Sequence, residues 1–160
     1  MTYTSRIDLS DHVRKQACTL LQARLSDALD LEAQAKQAHW NVKGPHFLQL
    51  HQLFDAVHDE IEQFVDLIAE RITTLGHVAD GRVTTTASAT TLYGYPLEAT
   101  GGEAHLKALA GSLGAFGKAV RVGIDQAGPI GDADTADLFT QISRETDKQL
   151  WFLEAHLQAH

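Results

Sequence analysis

The sequence predicts an all-α fold, a four-helix bundle in two antiparallel pairs joined by a long crossover. Three observations carry this. Four segments place apolar residues at helical spacing, with Gly- and Pro-containing breaks between them. Two of the connections are short and the one between them is long. At 160 residues, 44% hydrophobic and 21% charged, the chain is long enough for one domain with its own core.

The first segment opens at Ser10, a good N-cap residue, and carries Val13, Ala17, Leu20, Leu21, Ala28, Leu31, Ala35 and Ala38. Lys43-Gly44-Pro45 stops it, Gly offering a left-handed cap and Pro being unable to continue the helix. The second runs from about Phe47 to Leu75, with Leu50, Phe54, Val57, Ile61, Phe64, Ile68 and Ile72 between them on one stripe, and Gly76 follows. Residues 77–99 break the pattern with Gly81, Thr84-Thr85-Thr86, Gly94 and Pro96; so long a connection packs as a short element or carries function. Thr100-Gly101-Gly102-Glu103 has the form of a capping box and opens the third helix, on Leu106, Leu109, Leu113, Phe116, Val120 and Ile124. Its Gly111, Gly114 and Gly117 each cost up to about 1 kcal/mol of helix propensity, and close approach of a neighbouring helix is the reason expected. Gly128-Pro129 ends it, and Asp132 to Thr135 cap a fourth helix carrying Phe139, Ile142, Leu150, Leu153 and Leu157. Residues 1–9 read as a short flexible tail and residues 10–160 as the bundle.

Thirteen Lys and Arg against 21 Asp and Glu give a net charge of −8, beside nine His, one Cys and one Met. No apolar run approaches the roughly 20 residues that span a bilayer, and the first residues lack an apolar signal core. Cys18 alone excludes an intrachain disulfide and suits a reducing compartment, so a cytoplasmic protein is expected.

The second helix has a second face. With Leu50 at zero on a wheel, His51, Asp55, Asp66 and Glu70 fall at roughly 100°, 140°, 160° and 200°, and Asp59 and Glu62 join them. Such a face is either a solvated acidic stripe or a metal-binding surface. His51/Asp55 and Asp66/Glu70 are i,i+4 pairs, the spacing that brings two side chains to one ligand. Asp55 and Asp66, however, are about 16 Å apart along the axis, and metal–ligand bonds are near 2 Å. If both pairs serve one metal cluster, a second copy must run antiparallel about a two-fold axis near Glu60–Ile61, giving two equivalent sites. His39, at the end of the first helix, could complete such a site. Trp40 taken alone reads as core.

His39-Trp40-Asn41-Val42-Lys43-Gly44-Pro45-His46-Phe47, followed by His51, Asp55 and Asp66-Leu67-Ile68-Ala69-Glu70-Arg71, resembles the Dps family, the mini-ferritins. The spacing His-x11-His-x3-Asp-x10-Asp-x3-Glu is complete. The similarity continues through Leu92-Tyr93-Gly94-Tyr95-Pro96-Leu97, Asp134-Thr135-Ala136-Asp137-Leu138, Asp147-Lys148 and Leu150-Trp151-Phe152. This resemblance implies a ferritin-like four-helix bundle with a short helix between helices 2 and 3, assembled as a hollow homododecamer. It also implies a dinuclear iron site (Fe2+/Fe3+) at the two-fold subunit interface, with His39, His51 and Asp55 from one subunit and Asp66 and Glu70 from the other. The implied activity is oxidation of Fe(II) by hydrogen peroxide or dioxygen, with storage of Fe(III) inside the shell. Trp40, beside a ligand, becomes a candidate electron donor, and Asp132, Asp134 and Asp137 become candidates for an acidic three-fold pore; Asp132 and Asp134 equally suit a helix cap.

The chain departs from the family's name in its termini. Residues 1–9 hold one basic residue, Arg6, and Glu154 to His160 contain no Lys or Arg. Phosphate attraction dominates nonspecific DNA affinity, so poor DNA binding is expected. Two other readings remain: a ferritin- or rubrerythrin-like internal diiron site, for which the chain lacks any Glu-x-x-His, and a shell or DNA-protecting protein with little ferroxidase activity. His12, His77, His105, His156 and His160 carry no motif, while His46 and His58 lie near the site in sequence. Scarce Met and Cys suit a protein that handles peroxide, since both are oxidation targets.

Overall fold

A computed structural model describes residues 2–158; Met1, Ala159 and His160 lie outside them. The elements are α1 (Asp11–Asn41), α2 (Phe47–Thr74), α3 (Val83–Ala89), α4 (Gly102–Ala127) and α5 (Ala133–Ala155), with no strand among the described residues. α1 packs along α2 and α4 along α5, and the two hairpins meet mainly through α1 and α4. Among the described residues no helix is long and apolar enough to cross a membrane.

The periodic residues form the core. Ala17, Leu21, Leu31, Phe54, Ile61, Ile68, Leu109, Phe116, Phe139 and Ile142 are all buried, and Phe64 of α2 stacks on Phe116 of α4 at 6.5 Å. Phe47 is the exception on the α2 stripe and remains exposed. Ser10 caps α1 by accepting from the Val13 amide at 3.3 Å. Gly44, in the turn to α2, has φ +116°, a conformation that L side chains rarely adopt.

None of the α3 residues is buried, and the crossover is fastened by Leu92, which enters the core, and by hydrogen bonds. Gln22 of α1 donates to the Asp80 carbonyl and accepts from the Asp80 amide, both at 2.9 Å. Asp27, fully buried and paired with Arg24 at 2.8 Å, accepts from the Thr91 amide and hydroxyl. Gln34 donates to the Tyr93 carbonyl and accepts from the Ser112 hydroxyl, joining α1, the crossover and α4.

Two local expectations need correction. The capping box does not form: Gly101 is the N-cap of α4 and makes no side-chain cap bond, and Glu103 pairs with Lys107 at 2.5 Å. Thr100 stands one residue too early to cap. Of the three glycines read as packing, only Gly117 meets a neighbour, Thr146 at 3.4 Å, whereas Gly111 and Gly114 face open space. The α4 glycine pressed hardest against α5 is Gly123, where an added Cβ would stand 2.9 Å from the Phe139 ring. Before α1, the Tyr3 amide donates to the Gly76 carbonyl at 2.7 Å.

Candidate metal centre

The α1–α2 turn brings the end of α1 beside the first turns of α2, so His39 and His51 meet although twelve residues apart. Each ring lies within 2.8 Å, through Nδ1, of the other residue's backbone carbonyl. A carbonyl only accepts, so Nδ1 carries the hydrogen, and in the neutral ring Nε2 keeps its lone pair. The rings stack at 3.7 Å with planes 21° apart, and Phe47 packs against His51 at 5.1 Å. Neither Nε2 makes a hydrogen bond or ion pair among the described residues. Two imidazoles are therefore fixed in tautomer and orientation, which is what a metal ligand requires.

Asp55, one turn beyond His51, places a carboxylate oxygen 3.6 Å from His39 Nδ1. Lys36 of α1 donates a hydrogen bond to that oxygen. This bond, more than any other influence, holds the Asp55 carboxyl below the ordinary carboxylate range, against burial, which pushes it up and is the next largest effect. The donor set of two imidazoles and a carboxylate fits iron.

Asp66 and Glu70 are exposed on the same helix and join no contact with the first three ligands. A single chain thus assembles one half of the five-residue set and presents the other half elsewhere. Trp40 is 68% exposed, which overturns its reading as core.

Of the pore candidates, Asp134 and Asp137 are exposed. Asp132 is corrected: it is 1% exposed, caps α5 by accepting from the Thr135 amide at 3.0 Å, and pairs with Arg71 at 2.7 Å. A carboxylate so enclosed cannot line a channel.

Sequence reasoning missed Lys36, whose only signal is its position one turn before His39. It also left His58 unassigned. That ring lies 3.3 Å from Glu32 and 3.1 Å from Asp59, and Asp55, His58 and Asp59 place ligand atoms within 4.8 Å of one another. The i, i+3, i+4 spacing of Asp55, His58 and Asp59 was the available clue.

Residues 18–159 match the family model described as a ferritin-like domain. The chain is 39% identical over 157 residues to the DNA protection during starvation protein of Agrobacterium fabrum, covering 98% of this chain and 97% of that one. Among solved structures, DpsC from Streptomyces coelicolor superposes with a TM-score of 0.94 at 28% identity, covering 100% of this chain and 94% of that one. A structure of Dps from Microbacterium arborescens, described as its high iron form, gives 0.88 at 32% identity, covering 94% and 97%. The fold is thus of the ferritin-like class, and the chain belongs to its Dps family.

Proposed function

We propose that this chain is the subunit of an iron-oxidising and iron-storing mini-ferritin of the cytoplasm. The observation that carries this reading is the reciprocal His39–His51 lock beside Asp55, which leaves two Nε2 lone pairs and a carboxylate oxygen available to Fe(II). Asp66 and Glu70 of the partner subunit would complete the site across a two-fold axis, since the 16 Å or so of helix between the pairs forbids closure within one chain. The relative described in a high iron form supports iron as the cargo.

Iron is the substrate. Anionic oxygens stabilise Fe(III) over Fe(II), and two irons held together deliver two electrons to hydrogen peroxide, giving water rather than hydroxyl radical; dioxygen is the other candidate oxidant. On loading, Asp55 exchanges Lys36 for the metal. Trp40, next to His39, is a surface electron donor in this reading, and an unchanged radical yield in Trp40→Phe would remove that role. Asp134 and Asp137 supply the acidic entry pore of a homododecamer that stores Fe(III) inside.

The test is the double variant His51→Ala/Asp55→Asn. Loss of Fe(II) oxidation with an intact oligomer supports the enzyme. Unchanged oxidation supports the second reading, a passive or DNA-protecting shell, which the internal Lys36–Asp55 pairing favours because it neutralises the carboxylate without iron.

A further inference from the structure

Tyr95, half-buried on the crossover, and His105, buried in the first turn of α4, form a pair outside the five-ligand set. The Tyr95 hydroxyl lies 2.7 Å from His105 Nδ1, and the two rings are 21° from parallel. His105 is 1% exposed, and burial pushes its pKa below the ordinary histidine value, so the ring is neutral at pH 7. Burial pushes the Tyr95 phenol up, so it keeps its proton. The phenol therefore donates and the imidazole accepts.

The pair touches residues that adjoin the candidate ligands in the chain. His105 Nε2 is buried without a hydrogen bond of good geometry, although the Asn41 backbone is close enough to favour the charged ring. Asn41 is two residues after His39, about 3 Å along the helix axis. The His105 ring also lies 6.4 Å from Phe54, the neighbour of Asp55. By contrast, Trp40, Tyr3 and Tyr93 are exposed, so a radical on any of them would face solvent.

We infer that Tyr95 and His105 act together as a one-electron, one-proton donor to the iron-oxidation site; this rests on the ferroxidase reading above. Peroxide needs two electrons, and a site holding a single Fe(II) supplies one. The second comes from Tyr95. Fe(II) becomes Fe(III), the Tyr95 O–H bond breaks, its electron goes to peroxide, and its proton goes to His105 Nδ1. The O–O bond of hydrogen peroxide breaks, and with two protons from solvent it leaves as two waters. Losing an electron makes a phenol a strong acid, and a neutral imidazole already bonded to it takes the proton without movement of heavy atoms. A later Fe(II) returns the electron, and His105 returns the proton. A half-loaded site thereby avoids releasing hydroxyl radical.

The experiment is rapid freeze-quench EPR of the assembled protein given one Fe(II) per site and then hydrogen peroxide. The expected result is a tyrosyl signal that narrows with ring-deuterated tyrosine, is lost in Tyr95→Phe, and falls several-fold in His105→Gln, which can accept a hydrogen bond but not hold the proton. A tyrosyl signal unchanged in Tyr95→Phe, or iron oxidation with no organic radical in the wild type, overturns this role alone. A wild type that leaves Fe(II) unoxidised overturns the ferroxidase reading and this role with it. In the iron-free protein, 15N spectra should report His105 as the neutral Nε2–H tautomer at pH 7; an imidazolium there overturns the proposal without any reference to iron.

Discussion

His39 and His51 each give one ring nitrogen to the other's backbone and keep one for a ligand, so the helix hairpin itself selects the tautomer. Asp55 is held in the same pocket by Lys36, and that gives a pH prediction. Its folded carboxyl titrates below its ordinary value of 3.8. The stabilisation from this pair is therefore present above the unfolded pKa and is lost as pH falls through the lowered folded value. A carboxyl 13C titration of the iron-free protein should place Asp55 below 3.8, and Lys36→Met should move it back up; an unmoved midpoint would remove Lys36 as the cause. Asp132 differs from its neighbours because its carboxylate is enclosed with Arg71 and the first turn of α5. Losing the buried carboxylate removes both the α5 cap and the main partner of the largely enclosed Arg71 guanidinium, so Asp132→Ala should cost about 3 kcal/mol in denaturant unfolding. Asp137→Ala, at an exposed position, should fall within about 0.5 kcal/mol of wild type.

Helices were legible where burial writes a period. The α2 stripe from Leu50 to Ile72 is buried as the spacing required, and Ser10 caps α1 as its side chain allows. α3 left no such mark, because none of its seven residues is buried and it is stitched to the bundle through the Asp80 and Thr90–Thr91 contacts flanking it. A polar loop and a polar-tethered helix look alike in sequence. Gly111 and Gly114 of α4 depart from the packing role expected of them for a related reason: composition flags a small residue but not what stands opposite it. Gly123→Ala should destabilise by about 1 kcal/mol, since overpacking against the Phe139 ring outweighs the propensity gain. Gly111→Ala, with nothing within 4 Å, should stabilise by about 0.5–1 kcal/mol. Thermal unfolding of the pair checks both signs, and equal shifts would contradict the packing assigned to each.

The five candidate ligands could be named from spacing and resemblance, and the need for a second subunit followed from helix rise alone. The ring lock, Lys36 and the Tyr95–His105 pair could not, because each depends on which face of one helix meets another. Charge acts on the assembled particle. Each subunit carries −8 and the described termini offer no basic run, so an oligomer should attract Fe(II) and repel duplex DNA. No gel retardation of duplex DNA is expected at about 0.15 M salt and pH 7; a shift at low micromolar protein without added divalent ions would reject that. The central claim is that the oxidation site is shared between subunits, and subunit complementation tests it most directly. His51→Ala/Asp55→Asn chains and Asp66→Asn/Glu70→Gln chains, each inactive alone, are co-expressed with different tags, and particles carrying both are purified. Half of the two-fold pairs would then be mixed, each with one intact site, so Fe(II) oxidation should return to about a quarter of the wild-type rate. Mixed particles that stay as inactive as the parents would contradict a shared site and place the chemistry elsewhere.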